Sequence, residues 1–326
     1  VQGESRTNAQ LLLNELRSSP LNNMLGGLFT QAQSTGTLNS RLKLSLPLDE
    51  LDKTSVQGSV VLNNNDVRLQ TSLPVFEKAL GAINFNESGF TLAGVNAQFL
   101  GGPLKLEGGS RKLPSNSSDA NPVIRAQGQA TATGMRLAKE IPMLSAIAQQ
   151  ATGSTNYTAT LGFKGGQSEL SIQSQLQGLG LNLPAPLYKR PDELVALKYE
   201  NIIQNLSQNL AQRDQLQIAW GRALSASYLR DLTGAEPKVI SGKWLIGDVV
   251  TSPSTPTNTQ DSGVVAVVNL PTFSVDDWLQ IMAPTKGRAN NSAASSNGMS
   301  VATQSYLPNR ITLKSNDLAI QGRTLH

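Results

Sequence analysis

Residues 37–46 read "TLNSRLKLSL". Leu38, Leu42, Leu44 and Leu46 fall on even positions, and Thr37, Asn39, Arg41, Lys43 and Ser45 on odd ones. Side chains alternate across a strand with period two, so this stretch is a strand with one apolar face and one polar face. The pattern returns in "SVQGSVVL" (55–62), "DVRLQTSL" (66–73), "GAINFN" (81–86), "NYTATLGF" (156–163), "ELSIQSQL" (169–176) and "DQLQIAWG" (214–221). Along the chain it gives roughly fourteen strands of about eight residues each.

A sheet with one apolar face must bury it against something. The helical stretches are few and short: "NAQLLLNELR" (8–17) with Asn8 as N-cap, "PLNNMLGGLF" (20–29) broken at Gly26 and Gly27, "MLSAIAQQA" (143–151) and "DDWLQIM" (276–282). They are too small to cover the strands. The remaining covers are a second sheet, the same sheet folded over, a lipid or a partner. The architecture is then a large sandwich or barrel, a β-solenoid, or a curved sheet whose apolar inside holds acyl chains.

Local signals refine the strands. Asn63, Asn64 and Asn65 read as a hairpin turn, since Asn tolerates positive φ. In "GFTLAGVNAQFL" (89–100), Phe90 and Leu92 share one parity and Val95, Ala97 and Phe99 the other, which places a bulge at Ala93 and Gly94. "IRAQGQATATGM" (124–135) reads as one strand with Ile124, Ala126, Gly128, Ala130 and Ala132 on a single face. The organisation expected is a short helical lead-in over 1–36 and one continuous β domain over 37–326. Flexible polar loops are expected near 111–122, 251–263 and 284–305.

The chemistry of the chain is sparse. Its 326 residues include no cysteine and one histidine, His326. That excludes thiol chemistry, disulfides and Cys-based zinc sites, and leaves no Ser-His or His-metal arrangement beyond one terminal residue. No nucleophile elbow, P-loop, zincin or EF-hand motif occurs. Asp276 and Asp277 are acidic residues of a first helical turn, favoured by the helix dipole; Asp49, Glu50 and Asp52 read as a solvated turn. "GGQSE" (165–169) is a hairpin turn, because no helix follows it to cradle a phosphate. The expectation is a non-enzyme with no cofactor and no metal. Net charge is +4 without any basic stripe, and aromatics make up 5% of residues, so nucleic acid is not an expected partner. A weak attraction to anionic lipid surfaces remains. The longest apolar run, "GVVAVVNL" (263–270), is strand-length. The opening "VQGESRTNAQ" carries no initiator Met or signal peptide, so the chain reads as an excerpt of something longer.

Several strands end in Leu-Pro: "SLPLDELDK" (45–53), "SLPVFEKALG" (72–81), "NLPAPLYKRPDEL" (182–194) and "NLPTFSVDDWL" (269–279). Proline lacks an N–H and stops ladder pairing. Taken in order, these segments resemble the AsmA-like YhdP family. The likeness lies in "GAINFNESGF" followed by "LGGP" within 54–109, then "SQLQGLGLNLPAPLYK" within 153–189, then "LPTFSVDDWLQIM" and "LPNRITLKSNDLAIQGRTL".

The resemblance implies a bridge-like lipid-transfer protein of the Gram-negative envelope. It implies a mostly β fold in which a long, curved, mainly antiparallel sheet forms an open hydrophobic groove with a few short helices. The groove would carry phospholipid acyl chains through the periplasm between inner and outer membranes. Anchoring would be at the inner membrane through a helix absent from this chain, with outer-membrane or periplasmic proteins as further partners. The apolar parity then supplies the expected lining: Leu42, Leu44, Val60, Leu62, Leu69, Ile83, Phe85, Tyr157, Leu161, Phe163, Leu170, Ile172, Leu216, Ile218 and Trp220. The alternative is a closed β scaffold that binds envelope proteins or glycans for outer-membrane assembly.

Overall fold

The computed structural model describes residues 2–19, 22–23, 25–45, 55–86, 89–110, 122–164, 167–204, 212–234, 237–247, 263–282 and 305–325. The expected polar loops lie almost wholly outside these residues, as do Asp49, Glu50 and Asp52. The chain is mostly strand, mainly antiparallel, with a few short helices. It divides into two compact units, residues 1–149 with 153–175, and residues 150–152 with 176–326.

The first unit contains β1 (Gln2–Asn8), α1 (Ala9–Arg17), β2 (Gln33–Ser34), β3 (Thr37–Ser45), β4 (Ser55–Arg68), β5 (Phe76–Asn86), β6 (Gly89–Phe99) and β7 (Gly102–Gly109). It continues with β8 (Val123–Thr131), α2 (Ala132–Leu137), α3 (Pro142–Ala148), β9 (Ala151–Lys164) and β10 (Gln167–Ser174), the first two residues of β9 grouping with the second unit. From β3 to β10 each strand pairs antiparallel with the next. β1 pairs with the free side of β3, and β2 adds a short pairing to β4. The strand β1 precedes the expected lead-in helix, whose N-cap is Asn8 as read from the sequence: its Oδ1 accepts from Gln10 N–H at 2.8 Å.

Turn chemistry sets the register. At the β6–β7 hairpin Phe99 faces Gly102, and the two residues between them, Leu100 (φ 50°) and Gly101 (φ 76°), are both left-handed. That is the geometry a two-residue hairpin turn demands, so the "LGGP" segment is this turn. The bulge expected at Ala93 and Gly94 is present, with the register shifting between Leu92 and Val95 and Gly94 at φ 62°.

Two local readings are corrected. Asn63, Asn64 and Asn65 do not turn the chain; β4 runs through them with a bulge. Asn64 takes the positive φ of 61°. The fully buried Asn65 spends its side chain inward, accepting from Asn63 N–H and donating to Thr35 O and Thr37 O. The strand expected over 124–135 ends at Thr131. Thr131 Oγ1 accepts from Gly134 N–H at 2.9 Å and caps α2, so Ala132 opens a helix. A hydroxyl that can satisfy an orphan N–H outcompetes one more ladder step.

The second unit contains β11 (Leu179–Leu181), β12 (Leu197–Gln204), β13 (Arg213–Trp220), β14 (Leu224–Asp231), β15 (Lys238–Gly247), β16 (Gly263–Ser274), α4 (Val275–Met282), β17 (Arg310–Ile320) and β18 (Arg323–Leu325). β12 to β15 pair antiparallel, whereas β15–β16 and β16–β17 are parallel. A parallel pair needs a crossover of about a dozen residues or more. The chain has residues 248–262 and 275–309 between those strands, which is length enough for such a crossover. β17–β18 is a closing hairpin. Asp276 on α4 accepts from Gln321 N–H at 2.8 Å and Gly322 N–H at 2.9 Å, which ties the helix to that turn.

Candidate functional site

In the first unit the pairing registers align apolar residues into rows running across the strands. Val60 on β4 faces Ile83 on β5, then Leu92 on β6, Gly108 on β7, Ile124 on β8, Leu161 on β9 and Leu170 on β10. At the usual inter-strand spacing this row is about 29 Å long. A second row runs Val95, Leu106, Ala126, Ala159, Ile172, and a third Ala97, Leu104, Gly128, Tyr157, Ser174. The bulge at Gly94 moves Val95 and Ala97 onto the face that Leu92 already occupies. Most rows of the opposite parity are polar, for example Arg41, Ser59, Asn84 and Thr91, or Lys105, Gln127, Thr158 and Gln173; Val61, Ala82 and Ala93 form an apolar one.

Of the expected lining residues here, Val60, Ile83, Leu161 and Leu170 share the long row. Phe85 sits beside it opposite Gly58 and Phe90, and Leu62 opposite Gly81. Leu42 faces Gly58 and Leu44 faces Val56; Leu42 is exposed at 46%. Phe163 is buried at 3%. Leu69 lies in the bend after β4, outside the strand expected for it, since β4 ends at Arg68.

Part of this face is covered by the chain itself. Ala9 and Leu12 of α1 pack on Leu38, Val60 and Phe85. Leu25, from the turn over 25–32, forms one buried cluster with Phe90 and Phe163, and Leu28 and Phe29 of the same turn pack against that cluster, as do Ile83, Phe85, Leu92, Ile124 and Leu161. From the sequence these short segments were too small to cover the strands. They cover locally, because apolar side chains clustered on one turn bury a large area for their length; the fully buried Leu25 contributes about 1.5–3 kcal/mol and the half-buried Leu28 and Phe29 less.

The second unit repeats the scheme. Tyr199, Ile218, Ala226, Trp244, Ala266 and Ile311 form one row. Leu216, Tyr228, Gly242 and Val264 form the next, and Trp220 pairs with Leu197 and Leu224. Thus Leu216, Ile218 and Trp220 lie on one face. At the end of that face stands a feature missed in the sequence. Asp214, 1% exposed, accepts from Arg230 Nε at 2.8 Å, from Arg230 Nη2, and from Asn201 Nδ2 at 3.3 Å. Arg230 Nη1 donates to Tyr306 Oη, Tyr228 Oη donates to Tyr306 O, and Trp244 Nε1 donates to Tyr228 Oη.

Burial works to lower the Arg230 pKa, but the hydrogen bonds to Asp214 and Tyr306 outweigh it, so the guanidinium stays charged. Burial pushes the Tyr228 hydroxyl up to about 12 despite the hydrogen bond from Trp244. The signal was available: Asp214 shares parity with Leu216 and Ile218, and Arg230 with Ala226 and Tyr228, so opposite charges head two adjacent apolar faces. Nothing in the sequence pointed to Tyr306.

The "GLGLNLPAPLYK" stretch also has a polar centre. Leu181 bridges to Lys189, which is 1% exposed and donates from Nζ to Leu179 O at 2.7 Å and Arg190 O at 2.9 Å. Burial lowers its pKa, against the pull of Glu193 and Asp192. Among the described residues no group of three or more His, Asp or Glu side chains could hold a metal ion, and no helix is long and apolar enough to cross a membrane. A one-sided apolar strip of this kind can hold hydrocarbon, whose contacts are non-directional.

The chain belongs to the YhdP family, whose model, described as YhdP protein, matches residues 1–326. It is 22% identical over 316 residues to the intermembrane phospholipid transporter YhdP of Escherichia coli (strain K12), covering 93% of this chain and 22% of that protein. The chain therefore spans less than a quarter of the curated relative's length. No solved structure matches it.

Proposed function

We propose that this chain is a periplasmic segment of a bridge-like lipid-transfer protein and that its apolar rows carry phospholipid acyl chains between inner and outer membranes. One observation carries the reading: the long row from Val60 to Leu170 stays apolar across seven consecutive strands, while most of the opposite parity, such as Ser59, Asn84, Thr91, Gln127 and Thr158, is polar. A strip without a single deep well suits sliding better than storage, and headgroups would keep to the polar rim. The family membership and the name of the Escherichia coli relative support the substrate class. The full-length protein would be anchored at the inner membrane through a segment outside this chain, and protein partners would lie in the periplasm or outer membrane. No catalytic role is assigned to any residue.

The test places a charge in the row. Leu161→Glu and Leu170→Glu should each lower uptake of fluorescent phospholipid from vesicles by about tenfold or more, because a carboxylate cannot be desolvated there without a partner. Circular dichroism should remain that of a β protein. Unimpaired uptake by both variants would contradict the reading.

A second reading is favoured by the coverings over the two faces. If Leu25, Leu28, Phe29 and Tyr306 close permanent cores, the segment is a non-enzymatic scaffold for envelope proteins or glycans, and it would take up no lipid.

A further inference from the structure

Resting on the lipid-transfer reading, we propose that the turn over 25–32 is a stopper seated in the acyl-chain path of the first unit, and that lipid passes by displacing it. Leu25 is 3% exposed and forms one cluster with Phe90 and Phe163; Leu28 and Phe29 pack against the same cluster, which includes Ile83, Leu92, Ile124 and Leu161. Four of those residues, Ile83, Leu92, Ile124 and Leu161, belong to the long apolar row. The stopper therefore lies across the middle of the row rather than at its edge.

The way the turn is held sets it apart from ordinary core. Its described hydrogen bonds run within itself, to its neighbours in sequence, and to exposed Thr71. Asn22 Nδ2 donates to Arg17 O at 2.9 Å and Thr30 Oγ1 at 3.2 Å, and Asn22 Oδ1 accepts from Phe29 N–H at 2.9 Å. Arg17 at the end of α1 donates to Phe29 O at 3.3 Å and Ala32 O at 2.7 Å; Thr71 donates to Gln31. The turn thus keeps its own shape, and what it offers the row is carbon.

Carbon-on-carbon contact is non-directional, so an acyl chain can take the place of Leu25, Leu28 and Phe29 without leaving a polar group unpaired. A turn that rocks about Arg17 leaves its internal hydrogen bonds in place. Gly26 (φ 59°) and Gly27 (φ 77°) form its sharp corner. The empty protein is then self-covered and soluble, and the loaded protein exchanges one apolar cover for another.

The absence of native cysteine makes the test clean. In the full chain, Leu25→Cys with Phe163→Cys is bridged by dibromobimane, and a benzophenone amino acid at Leu170 reports lipid by photo-cross-linking from phosphatidylethanolamine–phosphatidylglycerol vesicles. The unbridged protein should give a phospholipid adduct, and bridging should lower its yield by about tenfold, since a covalently held stopper removes the displaced, binding-competent state. A second variant, Leu25→Ser with Phe29→Ser, should raise the yield above that of the parent. Equal yields with and without the bridge would overturn the stopper alone. No adduct in any form would overturn the lipid-transfer reading and the stopper with it.

Discussion

Tyr157 occupies the space that a side chain on Gly128 would need. The two are paired directly across β8 and β9, and a Cβ on Gly128 would stand 2.7 Å from Tyr157 Oη and 2.8 Å from Cζ. The same relation recurs twice. Phe85 fills the space over its partner Gly58, with Cζ 2.3 Å from the ideal Cβ, and Tyr228 fills that over its partner Gly242, with Cδ1 at 2.6 Å. All three glycines lie in the apolar rows. A glycine beside a ring lets the ring lean across the neighbouring strand, which keeps the face low in relief.

Gly128→Ala should therefore destabilise the chain by overpacking, about 1–3 kcal/mol. Adding Tyr157→Ala should recover part of that loss, so the double variant is more stable than the sum of the two single changes. Urea unfolding of the four proteins in this cycle measures the coupling. Strict additivity would show that the ring and the glycine do not compete for space.

The Tyr157 hydroxyl is buried without a hydrogen-bond partner, and burial pushes its pKa up to about 12. Tyr157→Phe should stabilise the protein at neutral pH by about 1 kcal/mol or more, the cost of an unsatisfied buried hydroxyl. The sign of the pH effect follows from the raised value. The folded state favours the neutral phenol, so this contribution is whole below pH 10 and is lost as pH climbs toward 12. The variant should show a shallower alkaline loss of stability in chemical denaturation between pH 9 and pH 12.

The Asp214–Arg230 pair predicts an asymmetry. Asp214→Ala leaves a buried guanidinium without its carboxylate and should cost about 3–5 kcal/mol. Replacing both, Asp214→Leu with Arg230→Met, should be close to neutral or stabilising, because an apolar pair needs no desolvation. Thermal unfolding of the two variants decides it. Tyr306 loses its bond from Arg230 in the double variant, so proteolysis should become faster near residue 306 even where the melting temperature holds.

Thr131→Ala tests the corrected helix boundary. Loss of the cap on α2 should cost about 1 kcal/mol, and Thr131→Ser should restore most of it. A strand running through to residue 135 would instead make alanine and serine equally tolerated.

Much of this was legible in the amino-acid pattern. The period-two runs placed the strands and the two faces, since Leu42, Leu44, Leu161 and Leu170 can share a face only if the chain is extended. The parity switch between Leu92 and Val95 located a bulge to the residue. Where the reading went astray, a side chain had gone somewhere a linear pattern does not record. Asn65 points into the unit and holds Thr35 and Thr37, so three asparagines that look like a turn are a bulge. Thr131 chooses a cap over a ladder step. The cover over Phe90 and Phe163 comes from residues more than sixty positions away, which no local periodicity reports. The parallel pairing of β15, β16 and β17 was not read from the sequence, although the near-continuous apolar run of β16 is the mark that such strands leave.

The central claim is that acyl chains share the apolar rows with the chain's own coverings. Native mass spectrometry of the purified chain, followed by solvent extraction and lipid analysis, tests it most directly. The account predicts phospholipid bound to a folded monomer and displaced by a detergent wash. A lipid-free mass on a well-folded monomer, unchanged after incubation with phospholipid vesicles, would contradict it and leave the closed scaffold in its place.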